Sequence, residues 1–387
     1  MAFDLNFGPD HDAFRQEVCA FLGREWRSGR DAADFRRAAV AAGYFYRSVP
    51  QRFGGSEQAP DSIKASIIAT EFACAGAPGE VKGNGVQMLV PTLLERGEDW
   101  QKDLFIPRTL TGEYRWAQGF SEPGAGSDLA SLRTRGELRN GEWVINGQKV
   151  WTSYARDCRY MFALVRTEPD AATHQGISYL LIDLDQPGIE IRPLRQINGG
   201  ADFNEVFFSD AVTPEHWIVG ARGEGWSVSK SLLKHERNML GGIDRSESIF
   251  DSLVKLAKRA DLYGAPAIED RWVRDRLAAL KAELEMQRHS RHIQMSRALS
   301  GDDASLLQMM QKLVQSNYAA AVAEVANKII ADDALISPIG NRSPGNERWV
   351  HQYMNSLAAA IAGGTSNIQR NIIAERGLGL PREEVRR

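Results

Sequence analysis

A carboxylate on the apolar stripe of a helix is the first feature of this sequence able to do chemistry. In EGWSVSKSLLKHERNMLGG, residues 224–242, Val228, Leu232, Glu236 and Leu240 recur at i, i+4 steps, with Leu233 and Met239 beside them. That spacing predicts one helix face and puts Glu236 in line with apolar neighbours. A carboxylate so placed needs a cationic partner or a raised pKa. The second case describes a general acid or base, the first an ion pair, and the pattern alone leaves both open. A second cluster is QGFSEPGAGSDLASLRT, residues 118–134. Gly124-Ala125-Gly126-Ser127 offers backbone N–H groups and a hydroxyl with little side-chain cover, able to wrap an anion or the polar edge of a ring; taken alone it reads first as a turn-forming loop. It is not a dinucleotide fingerprint, because GxGxxG requires glycine at 129 and Leu129 stands there. In KVWTSYA, residues 149–155, Trp151 taken alone reads as core, with a wall for a planar cofactor as the alternative. His289 and His292 form HxxH without a third ligand, the pattern of a solvated helix face rather than a metal site. HExxH, GxSxG and P-loop motifs are absent from the sequence.

Three stretches must position these residues. Residues 1–115 read as helical: HDAFRQEVCAFLGREW sets Phe14, Val18, Phe21 and Leu22 on one face, VPQRFGGSEQAP breaks the pattern, and SIKASIIATEFACAG resumes it with Asp61 as a candidate cap. From 116 to 222 the period changes. RNGEW and INGQK each carry Asn-Gly, the strongest short hairpin signal. GEWVINGQKVW, YMFALVRTE, GISYLLIDL and DFNEVFFSDAV read as strands, with Pro187, Pro193 and Pro214 between the runs. A small, mostly antiparallel β domain follows. Residues 223–387 carry four long helical segments with short links, the pattern of a four-helix bundle. The expected fold is therefore α+β: an N-terminal helical domain, a middle antiparallel β domain and a C-terminal helical bundle.

Bulk properties narrow the function classes. A formal net charge of -3 gives no electrostatic case for nucleic acid or an anionic membrane surface. Hydrophobic and charged fractions of 43% and 25% are those of an ordinary soluble chain with a core. The N-terminal MAFDLNFGPDHDAFRQE lacks the cationic and apolar regions of a signal peptide, and no apolar run approaches a membrane span. Cys19, Cys74 and Cys158 form no CxxC and no even framework, which predicts reduced thiols and a cytoplasmic location.

Taken in order, the motifs resemble those of the acyl-CoA dehydrogenases over nearly the whole chain. VPQRFGG resembles the family's N-domain loop, QGFSEPGAGSD its flavin- and thioester-contacting loop, and NGQKVWTS its β-domain flavin strand. GEGW…LLKHER resembles the start of its central C-domain helix, and GGTSNIQRNIIAERGLGLP its C-terminal signature. QGFSEPGAGSDLASLRT, FNEVFFSD and LLxxER resemble most the bacterial group of pimeloyl-CoA dehydrogenase large subunits and steroid side-chain acyl-CoA dehydrogenases. The resemblance implies FAD, with its ring between the β domain and the bundle. Gln118, Phe120, Ser121, Gly126, Ser127, Trp151, Ser153, Thr365 and Asn367 take flavin-contact positions, and Ser127 and Arg237 substrate-side positions.

Two departures stand out. Many members place the catalytic Glu just before the Gly-Thr of the final signature, where this chain has Gly363. A minority carries the base in the LxxER phrase, here Leu233-Lys234-His235-Glu236-Arg237. The resemblance thus implies Glu236 as the base, room for a bulky or branched acyl chain at Gly363, and α,β-dehydrogenation of an acyl-CoA, with steroid side-chain, dicarboxylyl and branched acyl groups all open. The thioester oxygen would be held by a flavin ribityl hydroxyl and the backbone N–H of Gly363. The family's Arg-x-x-Phe-Gly phrase, which reaches the FAD pyrophosphate of a neighbouring subunit, is here Ala260-Asp261-Leu262-Tyr263-Gly264, and SPIGNRSPG stands at its later Gln-x-x-Gly-Gly loop. Arg259 is one residue off, about 100° around a helix. A homologous partner subunit in an α2β2 assembly is expected, with a homo-oligomer as the alternative, and an electron-transfer flavoprotein as acceptor. The competing readings are an O2-using flavin oxidase or monooxygenase on the same fold, and a non-catalytic subunit.

Overall fold

The computed structural model describes residues 8–240, 243–300, 302, 305–335 and 347–382; the side chains at 233–240, 244, 298, 299 and 347 lie outside that description. The chain divides into two compact units, Met1–Arg192 with Phe203–His235, and Pro193–Asp202 with Glu236–Arg387.

The first unit opens with helices α1 (Pro9–Glu25), α2 (Ala32–Ala41) and α3 (Ser62–Cys74). Asp61 caps α3 as its sequence position predicts, accepting from the N–H groups of Ile63 and Lys64 at 3.0 and 2.9 Å. The expected face of α1 is buried at Val18, Phe21 and Leu22. Phe21 packs on Phe35 of α2 and Phe72 of α3, with centroids 5.9 and 6.2 Å apart. Aromatic pairs of this kind contribute about 0.5–1.5 kcal/mol each beyond area burial. A π-helical turn at Gly85–Leu89 leads into α4 (Val90–Arg96), followed by α5 (Asp99–Leu110). Gly85 is required there, since a Cβ would lie 2.6 Å from Trp116 Cδ1. Trp116 in turn donates from Nε1 to Thr109 Oγ1 at 2.9 Å and meets the Phe105 ring edge-on at 5.2 Å. These contacts tie α5 to the first strand.

That strand, β1 (Trp116–Gly119), belongs to a seven-stranded sheet with β2 (Arg135–Arg139), β3 (Glu142–Ser153), β4 (Tyr160–Arg166), β5 (Ile177–Asp183), β6 (Ile189–Leu194) and β7 (Phe203–Pro214). The order is β1-β4-β2-β3-β7-β6, with β5 on β4. The β2/β3, β3/β7 and β4/β5 pairs are antiparallel, while β1/β4 is parallel and β2 meets β4 in parallel at Arg135 and Arg166. Tyr160–Val165 and Ile177–Ile182 are buried at every residue, so both faces are covered and the segments read as continuous apolar runs.

Three expectations need correction. Asn140-Gly141 makes the β2/β3 hairpin turn with φ of 52° and 80°, but Asn146-Gly147 makes no hairpin. It lies inside β3 at a register shift against β7. Gly147 has φ 145°, and a Cβ there would sit 2.7 Å from Thr134 Cα. Asn146 spends its amide on Asp210 of β7, giving and receiving bonds of 2.8 and 3.0 Å. The glycine thus serves close backbone approach at a bulge rather than chain reversal. Pro193 falls inside β6, and Pro214 is the last residue of β7, rather than between strands.

Helix α6 (Gly225–Leu240) carries the chain from the first unit into the second, which holds α7 (Ile243–Arg259), a hairpin of β8 (Asp261–Leu262) and β9 (Ala265–Pro266), α8 (Arg271–Ser300), α9 (Ser305–Ile330), α10 (Glu347–Ala359) and α11 (Ser366–Ile372). Helices α7 to α10 enclose one core built around Leu253, Leu256, Leu280, Tyr318, Val322 and Trp349. Residues 193–202 join this unit, with Asn198 Nδ2 donating to Asn355 Oδ1 at 3.0 Å. No helix among the described residues is long and apolar enough to cross a membrane.

Candidate functional site

The expected site residues fall in both units. In the first, β1 carries Gln118, half-buried, into the loop Phe120–Asp128. The Phe120 ring turns into the core, edge-on to Phe162 and Tyr179 at 6.1 and 6.2 Å, so only its backbone faces the loop. Glu122 and Ala125 exchange two backbone bonds of 3.0 Å and pinch the loop. Gly126 and Ser127 are exposed, and a Cβ at Gly124 or Gly126 would meet nothing within 4 Å. Neither glycine has positive φ. Internal packing therefore does not require them, and their bareness leaves backbone open to a ligand.

Sequence reasoning missed the device beneath this loop. Lys149 of β3 is fully buried, and its Nζ donates to Glu122 Oε1 at 2.8 Å and to the Phe120 carbonyl at 3.2 Å. Glu122 also accepts from the N–H groups of Arg133 and Thr134 at 2.6 and 2.9 Å. Burial alone would raise the Glu122 carboxyl, but the Lys149 ammonium and the bonds from Thr134 and Arg133 outweigh it and hold it below the ordinary range. Burial pushes Lys149 down to about 8, against the pull of Glu122. The pair is charged at neutral pH, with its cost on the lysine side. Glu122 and Lys149 are 27 positions apart, and no local pattern links them.

Immediately after Lys149 the β3/β7 register shifts, and Trp151 adopts φ 60°. A bulky residue in this region costs about 1–3 kcal/mol. The bulge turns the indole outward: Trp151 is 61% exposed, and the one ring it meets among the described residues is Phe203, edge-on at 6.1 Å. It is not core. Ser153 beyond it is half-buried. Strain spent on presenting a flat apolar ring to the outside is what a stacking wall requires.

On α6, the described part of the predicted stripe is buried at Val228 and Leu232. The side chains of Glu236 and Arg237 lie outside the described residues.

In the second unit, α10 ends in a turn where Gly363 and Gly364 have φ 64° and 90°. Thr365 caps α11, its Oγ1 accepting from the Ile368 N–H at 3.3 Å, and exposed Asn367 accepts from Arg370 at 3.1 Å. Gln369 Nε2 donates to the Gly363 carbonyl at 3.0 Å, and Lys312 Nζ to the Gly364 carbonyl at 2.8 Å. Gln369 and Lys312 were also missed. The N–H groups of Gly363, Gly364 and Thr365 have no partner among the described residues. Successive free N–H groups on positive-φ backbone suit an oxyanion or a phosphate.

Ala260 packs on the helical core, and the β8/β9 hairpin lifts Tyr263 to 94% exposure at its tip. SPIGNRSPG lies outside the described residues. His289 and His292 stand with ring centroids 6.2 Å apart on α8, and no group of three or more His, Cys, Asp or Glu suited to a metal occurs among the described residues.

A cavity of about 670 Å³ lies in the first unit, lined by Arg133, Arg135, Arg166 and Arg222 with Leu132 and Thr173 among its walls. Arg166 is held by the carbonyls of Leu132, Ala130 and Thr173 at 3.1, 2.7 and 3.2 Å. Arg222 pairs with Glu168 and lies 5.2 Å over the Trp143 ring. The Arg133 guanidinium has no bonded partner among the described residues. An anionic ligand fits such walls.

The family profiles for the acyl-CoA dehydrogenase N-terminal, middle and C-terminal domains match residues 8–113, 117–211 and 223–378. The chain is 39% identical over 368 residues to acyl-CoA dehydrogenase IpdE1 of Mycobacterium tuberculosis, covering 93% of this chain and 91% of that protein. Among solved structures, the ChsE4-ChsE5 complex from Mycobacterium tuberculosis is 27% identical with a TM-score of 0.79, over 98% of this chain and 100% of that one. The Tcur3481-Tcur3483 steroid ACAD is 25% identical with a TM-score of 0.78, over 98% and 100% of the two chains. With three domains in the family's order and relatives matched along almost their whole length, the chain belongs to the acyl-CoA dehydrogenase family of oxidoreductases.

Proposed function

We propose that the chain catalyses FAD-dependent α,β-dehydrogenation of an acyl-CoA thioester with a bulky acyl group of the steroid side-chain kind. The observation that carries this reading is the turn at Gly363-Gly364-Thr365. Glycine stands where many relatives place a carboxylate, so the turn offers backbone donors and space but no base. Glu236 on α6 is then the base that removes the α proton, with Arg237 beside it on the substrate side. The N–H of Gly363 holds the thioester oxygen, favouring the enolate-like transition state by about 3–4 kcal/mol, the scale of one such donor. Bound FAD would supply the acceptor for the β hydride. Two observations fit a planar, phosphate-bearing cofactor: Trp151 offers a flat exposed ring on a strained bulge, and Gly124 and Gly126 leave the neighbouring loop bare. Gln118, Phe120, Ser121, Ser127 and Ser153 line that loop and strand, and Thr365 and Asn367 flank the turn.

The arginine-lined cavity follows the Ser127 loop directly in sequence and suits the phosphates of CoA. Arg133→Ala is expected to weaken binding of a CoA ester roughly tenfold, the value of one charge-assisted bond, with kcat little changed. A 3′-dephospho-CoA ester should lose less. Equal loss for both esters would rule out a 3′-phosphate contact.

The names of the relatives support a steroid-derived acyl group and a two-chain assembly. Tyr263, exposed on its hairpin beside Ala260, supports a partner-facing edge that a homologous subunit completes. The proposed acceptor is an electron-transfer flavoprotein and the proposed location the cytoplasm. FAD content of the chain purified alone, read by absorbance beside native mass, tests this. We expect well under one FAD per chain alone and recovery on co-expression with a homologous partner. About one FAD per chain alone would instead show a self-sufficient enzyme. Oxygen uptake with substrate, absent in a dehydrogenase, separates the oxidase and monooxygenase reading.

A further inference from the structure

We infer that Lys312 is a positioning residue: it clamps the turn Gly363–Thr365 so that its backbone N–H groups are presented to the thioester oxygen. The inference rests on the dehydrogenase reading above. Lys312 lies on α9, is only 6% exposed, and points its Nζ at the Gly364 carbonyl, 2.8 Å away. No carboxylate pairs with it among the described residues, and burial pushes its pKa down. A buried ammonium held by a single carbonyl is expensive for the fold. Structural lysines such as Lys149 are instead matched to a carboxylate.

What Lys312 holds explains the expense. The Gly363 carbonyl is taken by Gln369 and the Gly364 carbonyl by Lys312, while the Ser366 N–H takes the Ala360 carbonyl at 2.9 Å. Each peptide is planar, so fixing a carbonyl fixes the N–H on its far side. Capturing the Gly363 and Gly364 carbonyls therefore orients the N–H groups of Gly364 and Thr365 away from Gln369 and Lys312. It also anchors Gly363, whose own N–H is the donor assigned above. The glycines allow this arrangement: both have positive φ, and a Cβ on Gly364 would sit 2.7 Å from Gln369 Nε2. A positive charge behind the turn, with no carboxylate against it among the described residues, also makes its donors more favourable to an oxyanion.

The test uses the holoenzyme, with its partner if one is needed, and a 3-thiaacyl-CoA ester. This thioester binds without being oxidised, and its enolate is read by long-wavelength absorbance. In the wild type the bound ester is expected to ionise well below its pKa in water. Lys312→Met should raise that bound pKa by about one unit, a tenfold loss of enolate stabilisation. Flavin content and affinity for the protonated ester should stay within about threefold, since the clamp acts on developing negative charge. Lys312→Arg, which keeps a charged donor, should restore most of the shift. Gln369→Met removes the companion clamp without touching a charge; it should move the pKa the same way by about threefold and carries the test if Lys312→Met does not fold. An unaltered bound pKa in either variant overturns the inference. A wild type that binds the ester but never ionises it overturns the dehydrogenase reading itself, a different result from a wild type and variant that ionise alike.

Discussion

Glu236→Gln is expected to leave FAD bound and to slow reduction of the flavin by an acyl-CoA at least about 10³-fold, within the range assigned to a positioned general base. Glutamine matches glutamate in shape and helix preference, so α6 should form unchanged, and only the proposed proton acceptor is lost. Glu236→Asp retains a base set back by one methylene and should lose about 10²-fold, since displacements near 1 Å cost that much. Restoring a carboxylate at the other position should not rescue the enzyme. Gly363 has φ 64°, where a side chain costs about 1–2 kcal/mol, so Glu236→Gln combined with Gly363→Glu strains the turn proposed to supply the oxyanion donors. The measurement is anaerobic stopped-flow reduction with a CoA ester that reduces the wild type. Near-normal reduction in Glu236→Gln would remove Glu236 from the mechanism.

The largest expected effect on stability lies at the buried ion pair. Lys149→Met strands the Glu122 carboxylate, and breaking such a pair costs about 3–5 kcal/mol. For a unit of this size that lowers Tm by on the order of 10 °C. Glu122→Gln should cost less at alkaline pH. Lys149 already titrates near 8, so without its partner it sheds its proton rather than remain buried and charged. The acid side has the opposite dependence. The Glu122 carboxyl is held below its ordinary value in the folded chain, so the stability it contributes is present above that value and is lost as pH falls through the folded pKa. Glu122→Gln should flatten this part of the acid limb. Calorimetric melting across pH checks both statements; single variants within 1 kcal/mol of the wild type would show the pair to be dispensable. Replacing both residues by apolar ones should recover stability, as it often does, yet lower FAD content, because Trp151 follows Lys149 on the same bulge.

What was legible in the sequence was what repeats locally. Period 3.6 located α1, α3 and the long C-terminal helices, and the Asp61 cap and the Asn140-Gly141 turn were readable because two or three neighbouring residues determine them. Asn146-Gly147 carries the same dipeptide and does something else, because what decides its conformation is Thr134 and Asp210, contributed by other strands. The short β1 was hidden in a glycine-rich phrase, and β6 by its proline. Among the expected site residues, Glu236, Trp151 and Gly363 are legible as chemistry or as departures from a resemblance. Glu122, Lys149, Lys312 and Gln369 are not, because a buried polar side chain is defined by its partner, and Lys312 and the Gly364 carbonyl it holds are 52 positions apart.

The excursion of residues 193–202 has a consequence for how this protein can change. The chain passes between its two units at 192/193, at 202/203 and again inside α6. Neither unit is therefore a continuous length of sequence, and a cut in α6 leaves the helical unit without ten of its own residues, Asn198 and its bond to Asn355 among them. Recombination that exchanges only the C-terminal helices between relatives would pair a new bundle with an old loop. Substitutions on α10 and in the loop between β6 and β7 are thus expected to be energetically coupled despite the distance between them in sequence.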